Sequence, residues 1–406
     1  MLVNKVKYKN YDKPTVISLF TCGMGMDRGF EESGFQTVYA NDITKFACDT
    51  IKEVKKKEIE KEKTLHLDKE KSIFDISSKN ILDSIGLENG EPDILIGGPP
   101  CQSFSTAGVR KGLKDKRGKA VLEYIKKVKE IRPKVFVFEN VQGIKSMAMS
   151  HMSFYDRVAT DESKLKKTQK KGSLFKYIEK KFRDLEKEEY GYSIDYAILN
   201  AADFGIPQNR KRLILIGIRK EFGNANDVLK KIKDQAEYAD PRKAEKLHKM
   251  KWRTLETLQD KFEGKSPANC AKFSDSVIGY LSYVPKEIGG CWINLPSELQ
   301  KKAMGGAADT NDPRRKGKQG GRRGFYRRLS WYKPSPTLVT SPTQMGTCMC
   351  HPTYNRPLSL KEYALIQGFP GNWKFQGSLA NKYRMIGEAV PVELAKVISN
   401  VIKKFI

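Results

Sequence analysis

Asp93-Ile94-Leu95-Ile96-Gly97-Gly98-Pro99-Pro100-Cys101-Gln102-Ser103-Phe104-Ser105 is the stretch on which the reading of the chain turns. Its apolar opening has the length and composition of a short buried strand. Gly97-Gly98-Pro99-Pro100 suits neither strand nor helix, so the chain turns there on a stiff loop. Cys101 is thereby offered at the carboxyl end of a strand, where open α/β sheets keep their chemistry. A small buried Cys in a turn is the ordinary alternative. The company that Cys101 keeps along the chain decides between the two.

Upstream, Thr15-Val16-Ile17-Ser18-Leu19-Phe20 reads as another buried strand, running into Thr21-Cys22-Gly23-Met24-Gly25-Met26-Asp27 and the helical Glu31-Glu32-Ser33-Gly34. Strand, glycine turn and helix make a nucleotide-binding opening, because glycines let backbone approach a ligand closely. Hydride-transfer enzymes share that pattern. A second strand, Gln36 to Ala40, ends at Asn41-Asp42. An acid there, about 20 residues past the glycines, suits the hydroxyls of a ribose. Lys45 to Lys71 is dense in Lys and Glu and predicts a solvent-washed helix and loop, and Ile73-Phe74-Asp75-Ile76 predicts a third short strand end.

Downstream, a glycine-hinged basic segment (Gly108 to Gly118) precedes a helix over Val121 to Ile131. Lys134-Val135-Phe136-Val137-Phe138 is a further strand, delivering Glu139-Asn140-Val141. A carboxyl at the end of a buried apolar strand is a candidate proton donor. A charged helix (Leu174 to Tyr190) and a strand (Tyr196 to Asn200) follow. Gln208-Asn209-Arg210-Lys211-Arg212 then leads into the strand Leu213 to Ile218. Two arginines one residue apart can aim at a single anionic or carbonyl-rich ligand. This alternation predicts an α/β fold with a mostly parallel sheet and helices on both faces.

From Lys220 to about Arg328 no period is sustained, and Lys, Arg, Gly and isolated aromatics dominate. The run Pro313 to Arg328 is basic, glycine-rich and tipped by aromatics, the makeup of a surface that tracks a nucleic-acid backbone. Beyond Ser330 the text is turn-rich. Ser359 and Glu362 form a capping box for a helix, and Val392 to Ile402 reads as a last amphipathic helix.

Composition sets bounds on these readings. At 406 residues the chain holds two domains. Lys plus Arg is 75 against 48 Asp plus Glu, a net charge of +27, which calls for a polyanionic partner, nucleic acid first. The seven cysteines form no CxxC and no disulfide scaffold, which fits a reducing cytosol. Cys348-x-Cys350-His351 lacks a second ligand pair, so no metal is expected. No run approaches the roughly 18 apolar residues of a membrane span. A soluble, cytoplasmic monomer is expected.

Taken together the blocks resemble the DNA cytosine-5 methyltransferases. They are SLFTCGMGMDRGFEESGF (18–35), GGPPCQSFS (97–105), FENV (138–141), QNRKR (208–212), KPSPTLVTSP (333–342), RPLSLKEYALIQGFP (356–370) and IGEAVP (386–391), in the family's order. The resemblance implies a Rossmann-like S-adenosylmethionine-dependent sheet over residues 1–219. It further implies a smaller, irregular target recognition domain over 220–329, and a return segment over 330–406 whose C-terminal helix completes the catalytic domain. It assigns Cys101 as nucleophile, Glu139 as acid, and Arg210 and Arg212 as the paired arginines. It assigns Phe20, Gly23, Met24, Gly25, Asp42, Ile43, Asp75, Ile76, Pro100, Glu388 and Ala389 to S-adenosyl-L-methionine. Duplex DNA is the implied substrate and a cognate restriction endonuclease the implied companion. An RNA cytosine-5 methyltransferase on the same blocks is the rival, and the basic insertion before Ser330 favours DNA. Two departures touch the cofactor pocket: Cys22 and Met24 stand where the family usually has glycine, and Glu388 where it usually has Asn.

Overall fold

The structure is a computed structural model and describes residues 11–100, 116–150, 160–304 and 323–406. The chain divides into two compact units: Met1–Asn200, Lys211–Ala236 and Leu394–Ile406 form the first, and Ala201–Arg210 with Glu237–Glu393 form the second. The sequence-based boundaries at 219 and 329 differ from these, which place Ala201–Arg210 and most of the return segment in the second unit.

The first unit is built on a seven-stranded sheet of order β3-β2-β1-β4-β5-β8-β6. Its strands are β1 (Thr15–Leu19), β2 (Gln36–Asp42), β3 (His66–Lys69), β4 (Ile94–Gly97), β5 (Val135–Val141), β6 (Tyr192–Asn200) and β8 (Lys211–Arg219). The pairs β1–β2, β1–β4, β2–β3 and β4–β5 are parallel, and β8 is antiparallel to both neighbours. Central strands β1 and β4 are buried throughout, as continuous apolar runs between helical layers must be. Connecting helices are α1 (Gly25–Glu32), α2 (Lys45–Val54), α3 (Ser78–Ile85), α4 (Lys116–Ile131), α5 (Ser173–Arg183) and α6 (Ala225–Asp234).

One face of the core is aromatic. Phe182 of α5 stacks on Phe136 and meets Phe138 edge-on, with ring centroids 5.6 and 5.1 Å apart. Gly217 lies opposite Phe136 in the β5–β8 ladder, and a β-carbon there would fall 2.0 Å from the ring. Only glycine leaves that space.

Two expectations are corrected here. The third strand is His66–Lys69, inside the stretch read as helix and loop, and Ile73–Asp75 is a 3₁₀ turn. His-Leu-Asp-Lys carries no apolar alternation, since its buried residue is Asp68, which accepts the Tyr39 hydroxyl at 2.7 Å. Helix α6 lies where no period was found.

The second unit is short helices and turns, with two-residue ladders joining β7 (Gln208–Asn209) to β11 (Ser335–Pro336), and β9 (Tyr238–Ala239) to β10 (Met250–Lys251). Its core gathers Phe273, Leu281, Val284, Trp292, Tyr326, Cys348 and Cys350. Ser359 caps the helix Leu360–Ile366 and Glu362 completes the capping box. The last helix spans Val392–Ile402 as expected.

Candidate active site

Strand register decides where the chemistry-bearing side chains of the first unit emerge. Leu19 pairs with Asn41 and with Gly97, and Gly97 pairs with Phe138. The residues that follow, Phe20, Asp42, Gly98 and Glu139, therefore reach one edge, the carboxyl edge of the parallel strands. Because β8 runs the other way, its opening residues reach the same edge, and Arg212 lies opposite Val141.

Glu139 and Arg212 meet there. Arg212 Nε lies 2.8 Å from Glu139 Oε1, and each residue is 8% exposed. Glu139 faces Ile214 in the ladder, so Arg212 is its diagonal neighbour two residues along, on the same face. A β-carbon on Gly98 would fall 2.9 Å from Glu139 Oε2. Glycine at 98 thus lets the carboxyl sit directly against the Gly97–Pro100 turn that leads to Cys101. Asn140 braces that turn, its Nδ2 donating to the Pro99 carbonyl at 3.2 Å. The description reaches Pro100; Cys101 and the basic segment after it up to residue 115 lie outside the described residues.

The glycine turn beyond β1 is wound in the left-handed region at Phe20 (φ 57°), Cys22 (φ 50°) and Met24 (φ 63°). That region favours glycine, which explains why the family usually has glycine where Cys22 and Met24 stand; the two side chains here carry backbone strain instead. Asp42 holds the turn. Its Oδ2 accepts the Cys22 N–H at 2.9 Å, and its Oδ1 accepts the Thr44 N–H and hydroxyl at 2.8 and 2.7 Å. A carboxylate offers about four acceptor sites, so room for a further donor remains. Met24 precedes α1 without a side-chain cap, so the positive end of that helix dipole faces the turn. Ile43 is 62% exposed, an apolar side chain standing in solvent beside Asp42.

Asp75 is exposed and Ile76 buried in a strap fastened at its start by Asn41, whose Nδ2 donates to Lys71 O at 3.0 Å. These residues form a cradle with apolar, acceptor and electropositive parts, which fits a nucleoside joined to an amino acid. Beneath it Asp27, in the first turn of α1, is fully buried, and burial pushes its carboxyl up to about 7.

The remaining expected residues lie in the second unit. Arg210 has carbonyl partners of its own. Its guanidinium is fully buried and donates to the carbonyls of Leu338 (3.0 Å), Gly387 (2.9 Å) and Ala389 (2.8 Å). Gln208 adds to this lock through Gln367, which in turn donates to Ile386 and Ala389. Glu388 pairs with Arg384 at 3.1 Å. Blocks far apart in sequence are thus bonded together around Ala389.

The basic run Pro313 to Arg328 is described only from Arg323 onward. Its last two arginines face inward, contrary to their reading as backbone contacts. Arg328 is 2% exposed and donates to the carbonyls of Leu281, Val284, His351 and Tyr354. Arg327 donates to the carbonyls of Thr347 and Cys348. Burial pushes the thiols of Cys348 and Cys350 up to about 11 and about 12, so both are neutral. Sequence reasoning missed Asn140, Gln208 and Asp27. The first two sat inside motif blocks already noticed. Nothing in the pattern signals the burial of Asp27.

The C-5 cytosine-specific DNA methylase family model matches residues 14–155 and 163–404. The chain is 32% identical to the Type II methyltransferase M.Sau96I of Staphylococcus aureus, over 97% of this chain and 76% of that protein. It is 33% identical to M.PspPI of Psychrobacter, over 96% and 78%. Among solved structures it is similar to a DNA modification methyltransferase encoded within an Escherichia coli prophage, with a TM-score of 0.58, 21% identity, and coverage of 97% and 99%. The Dnmt2 methyltransferase of S. pombe gives 0.54, at 16% identity over 96% and 98%. With the family model matched over residues 14–155 and 163–404, and with 32–33% identity to two Type II methyltransferases over nearly the whole chain, the chain belongs to the C-5 cytosine-specific DNA methylases and is a DNA (cytosine-5) methyltransferase.

Proposed function

We propose that the enzyme methylates a cytosine flipped out of duplex DNA, at the sheet edge where Glu139 meets Arg212, with Cys101 as nucleophile and S-adenosyl-L-methionine as donor. The observation that carries this reading is the Glu139–Arg212 pair seated against Gly98, three residues before Cys101. C5 of cytosine is a weak nucleophile and needs help. The Cys101 thiolate adds to C6, its electron pair forming the S–C6 bond while the displaced ring pair moves through C5 toward N3. Glu139 supplies the proton that N3 takes, and Arg212 donates to the O2 carbonyl as charge develops there. When bound, S-adenosyl-L-methionine supplies an electrophilic methyl group on its sulfonium. C5, now electron-rich, takes that methyl as the sulfur–methyl bond breaks, its electron pair staying on sulfur, which leaves as a neutral thioether. A water removes the C5 proton, the C–H pair restores the C5=C6 bond, Cys101 leaves as thiolate, and N3 returns its proton to Glu139. Both ring atoms lie inside the base stack, so the base has to leave the duplex.

Phe20, Gly23, Met24 and Gly25 line the methionine end of the cradle, Asp42 takes a ribose hydroxyl, and Ile43, Asp75 and Ile76 border the adenine. The family pattern also assigns Pro100, Glu388 and Ala389 to the donor. Arg210 is a positioning residue that fixes the Gly387–Ala389 carbonyls. The irregular region over 220–329 reads the DNA sequence. The relatives' Type II names support a restriction-modification setting, with a cognate endonuclease acting at the same site and a monomeric, cytoplasmic methyltransferase.

Cys101→Ser tests this reading. Transfer of radiolabelled methyl to duplex DNA should vanish while DNA binding, followed by fluorescence anisotropy, stays largely intact. Full activity in that variant would sink the mechanism. Sequencing DNA methylated by the purified enzyme gives the recognised site.

A further inference from the structure

Helix α4 buries Ala120, Val121, Tyr124, Ile125, Val128 and Ile131 against the sheet. Lys127 sits at core spacing with them, three residues after Tyr124 and four before Ile131. Only 2% of it is exposed. A buried ammonium costs more than the apolar residue that would fill the same place, unless its hydrogen bonds are needed there. Its Nζ donates to the Ile76 carbonyl at 2.5 Å and pairs with Glu123 Oε1 at 3.0 Å. One turn along the helix Glu130 accepts the Ser78 hydroxyl at 2.6 Å. The Lys71–Ser78 strap is therefore pinned by Asn41 at its start and by α4 at its end.

We propose that Lys127 is a positioning residue for the methyl donor: from within the core it fixes the Ile76 carbonyl, and with it the strap that borders the adenine. The proposal rests on reading Asp42, Asp75 and Ile76 as the nucleoside side of the cradle. Lys127 touches no reacting atom. It acts through the strap, so its loss should appear in cofactor affinity and leave the chemical step alone. α4 also follows directly on the segment containing Cys101. The ammonium thereby ties that helix to the cofactor segment.

The test compares full-length Lys127→Met, Lys127→Arg and Asp42→Ala by calorimetry with S-adenosylmethionine, anisotropy with duplex DNA, and kcat at saturating cofactor. Lys127→Met should weaken cofactor binding by about tenfold, the scale of one charge-assisted hydrogen bond partly lost. DNA affinity and kcat should stay within about twofold, since uniform binding alone is affected. Lys127→Arg should recover most of the loss. Cofactor affinity unchanged in folded Lys127→Met overturns the proposal, as does a loss spread equally over cofactor, DNA and kcat, which is what a merely structural role gives. Should Lys127→Met not fold, Lys127→Gln, which removes the ammonium but keeps a polar side chain, carries the same comparison: weaker cofactor binding alone supports the proposal, and unchanged binding overturns it. Asp42→Ala separates the two layers. If it weakens the cofactor and the Lys127 variants do not, only the proposal falls; if it too leaves affinity intact, the reading of the cradle falls.

Discussion

Glu139 and Arg212 are one residue pair on adjacent strands, joined by a 2.8 Å contact, and under the proposed mechanism they act together. Glu139→Gln keeps a hydrogen-bond donor but cannot give up a proton, so kcat should fall by about 10²–10⁴-fold. Arg212→Lys keeps the charge and loses the planar fork, and should also lower kcat. Because the two act together, the double variant should lie close to the worse single one in single-turnover methylation assays. Additive losses would show that they act separately. The strained turn makes a second residue-scale prediction. At φ 50° Cys22→Gly exchanges strain for unfolded-chain entropy and should change urea-unfolding stability by less than about 1 kcal/mol. Cys22→Val forces a β-branched residue into the same conformation and should cost about 1–3 kcal/mol. Motif blocks made Glu139 and Arg212 legible in the sequence, because type and spacing state the chemistry. They could not tell Arg210 from Arg212. Which guanidinium is spent on backbone carbonyls depends on the fold bringing Leu338, Gly387 and Ala389 to Arg210.

At the scale of elements, the buried strands β1, β4, β5 and β8 were readable from continuous apolar runs, and the capped helix Leu360–Ile366 from its Ser and Glu. β3 was not, because an edge strand whose inward residue is an aspartate presents no hydrophobic period. The β1–α1 element carries a pH dependence that follows from burial. Asp27 is pushed up to about 7, against about 3.9 in an unfolded chain. Between those values the folded protein keeps a proton that the unfolded chain has lost. Stability from this group is fully present below the lower value and is lost as pH rises through the upper one. From pH 5 to pH 8 that loss is roughly 2–3 kcal/mol. Asp27→Asn keeps an acceptor for Thr37 and removes the titration, so urea-unfolding free energies at the two pH values should converge relative to wild type. An unchanged slope would mean that Asp27 does not titrate in this window. His351, held down to about 3 by burial and by Arg356 and Arg328, tilts stability the other way, with its contribution lost as pH falls below about 6.5. The Asp27 comparison should therefore be made between variants at each pH.

Over the whole molecule the net charge of +27 remains the broadest signal, but the fold redistributes it. Arg210 and Arg328 are spent inside the second unit as donors to backbone carbonyls, and Arg356 there as a bidentate partner of Glu362. Such groups cannot meet phosphate. Exposed cations can: Arg242, Lys243, Lys246, Lys251 and Arg253 stand in solvent within one stretch of that unit. Counterion release then sets the expected behaviour. If six to ten phosphates are neutralised, affinity for duplex DNA should fall by about 10³–10⁵-fold between about 50 and 200 mM salt. Anisotropy titrations over that range measure the slope directly. Replacing Lys243, Lys246 and Lys251 together by Gln should flatten it if those side chains meet phosphate. Arg328→Met should behave otherwise, lowering stability by about 3–5 kcal/mol because its carbonyl partners are left buried and unpaired, with the salt slope of the folded enzyme unchanged. A flat profile in the wild type would place the excess charge outside DNA binding. A slope that Arg328→Met reduces would show that this arginine leaves its cage of carbonyls to meet DNA.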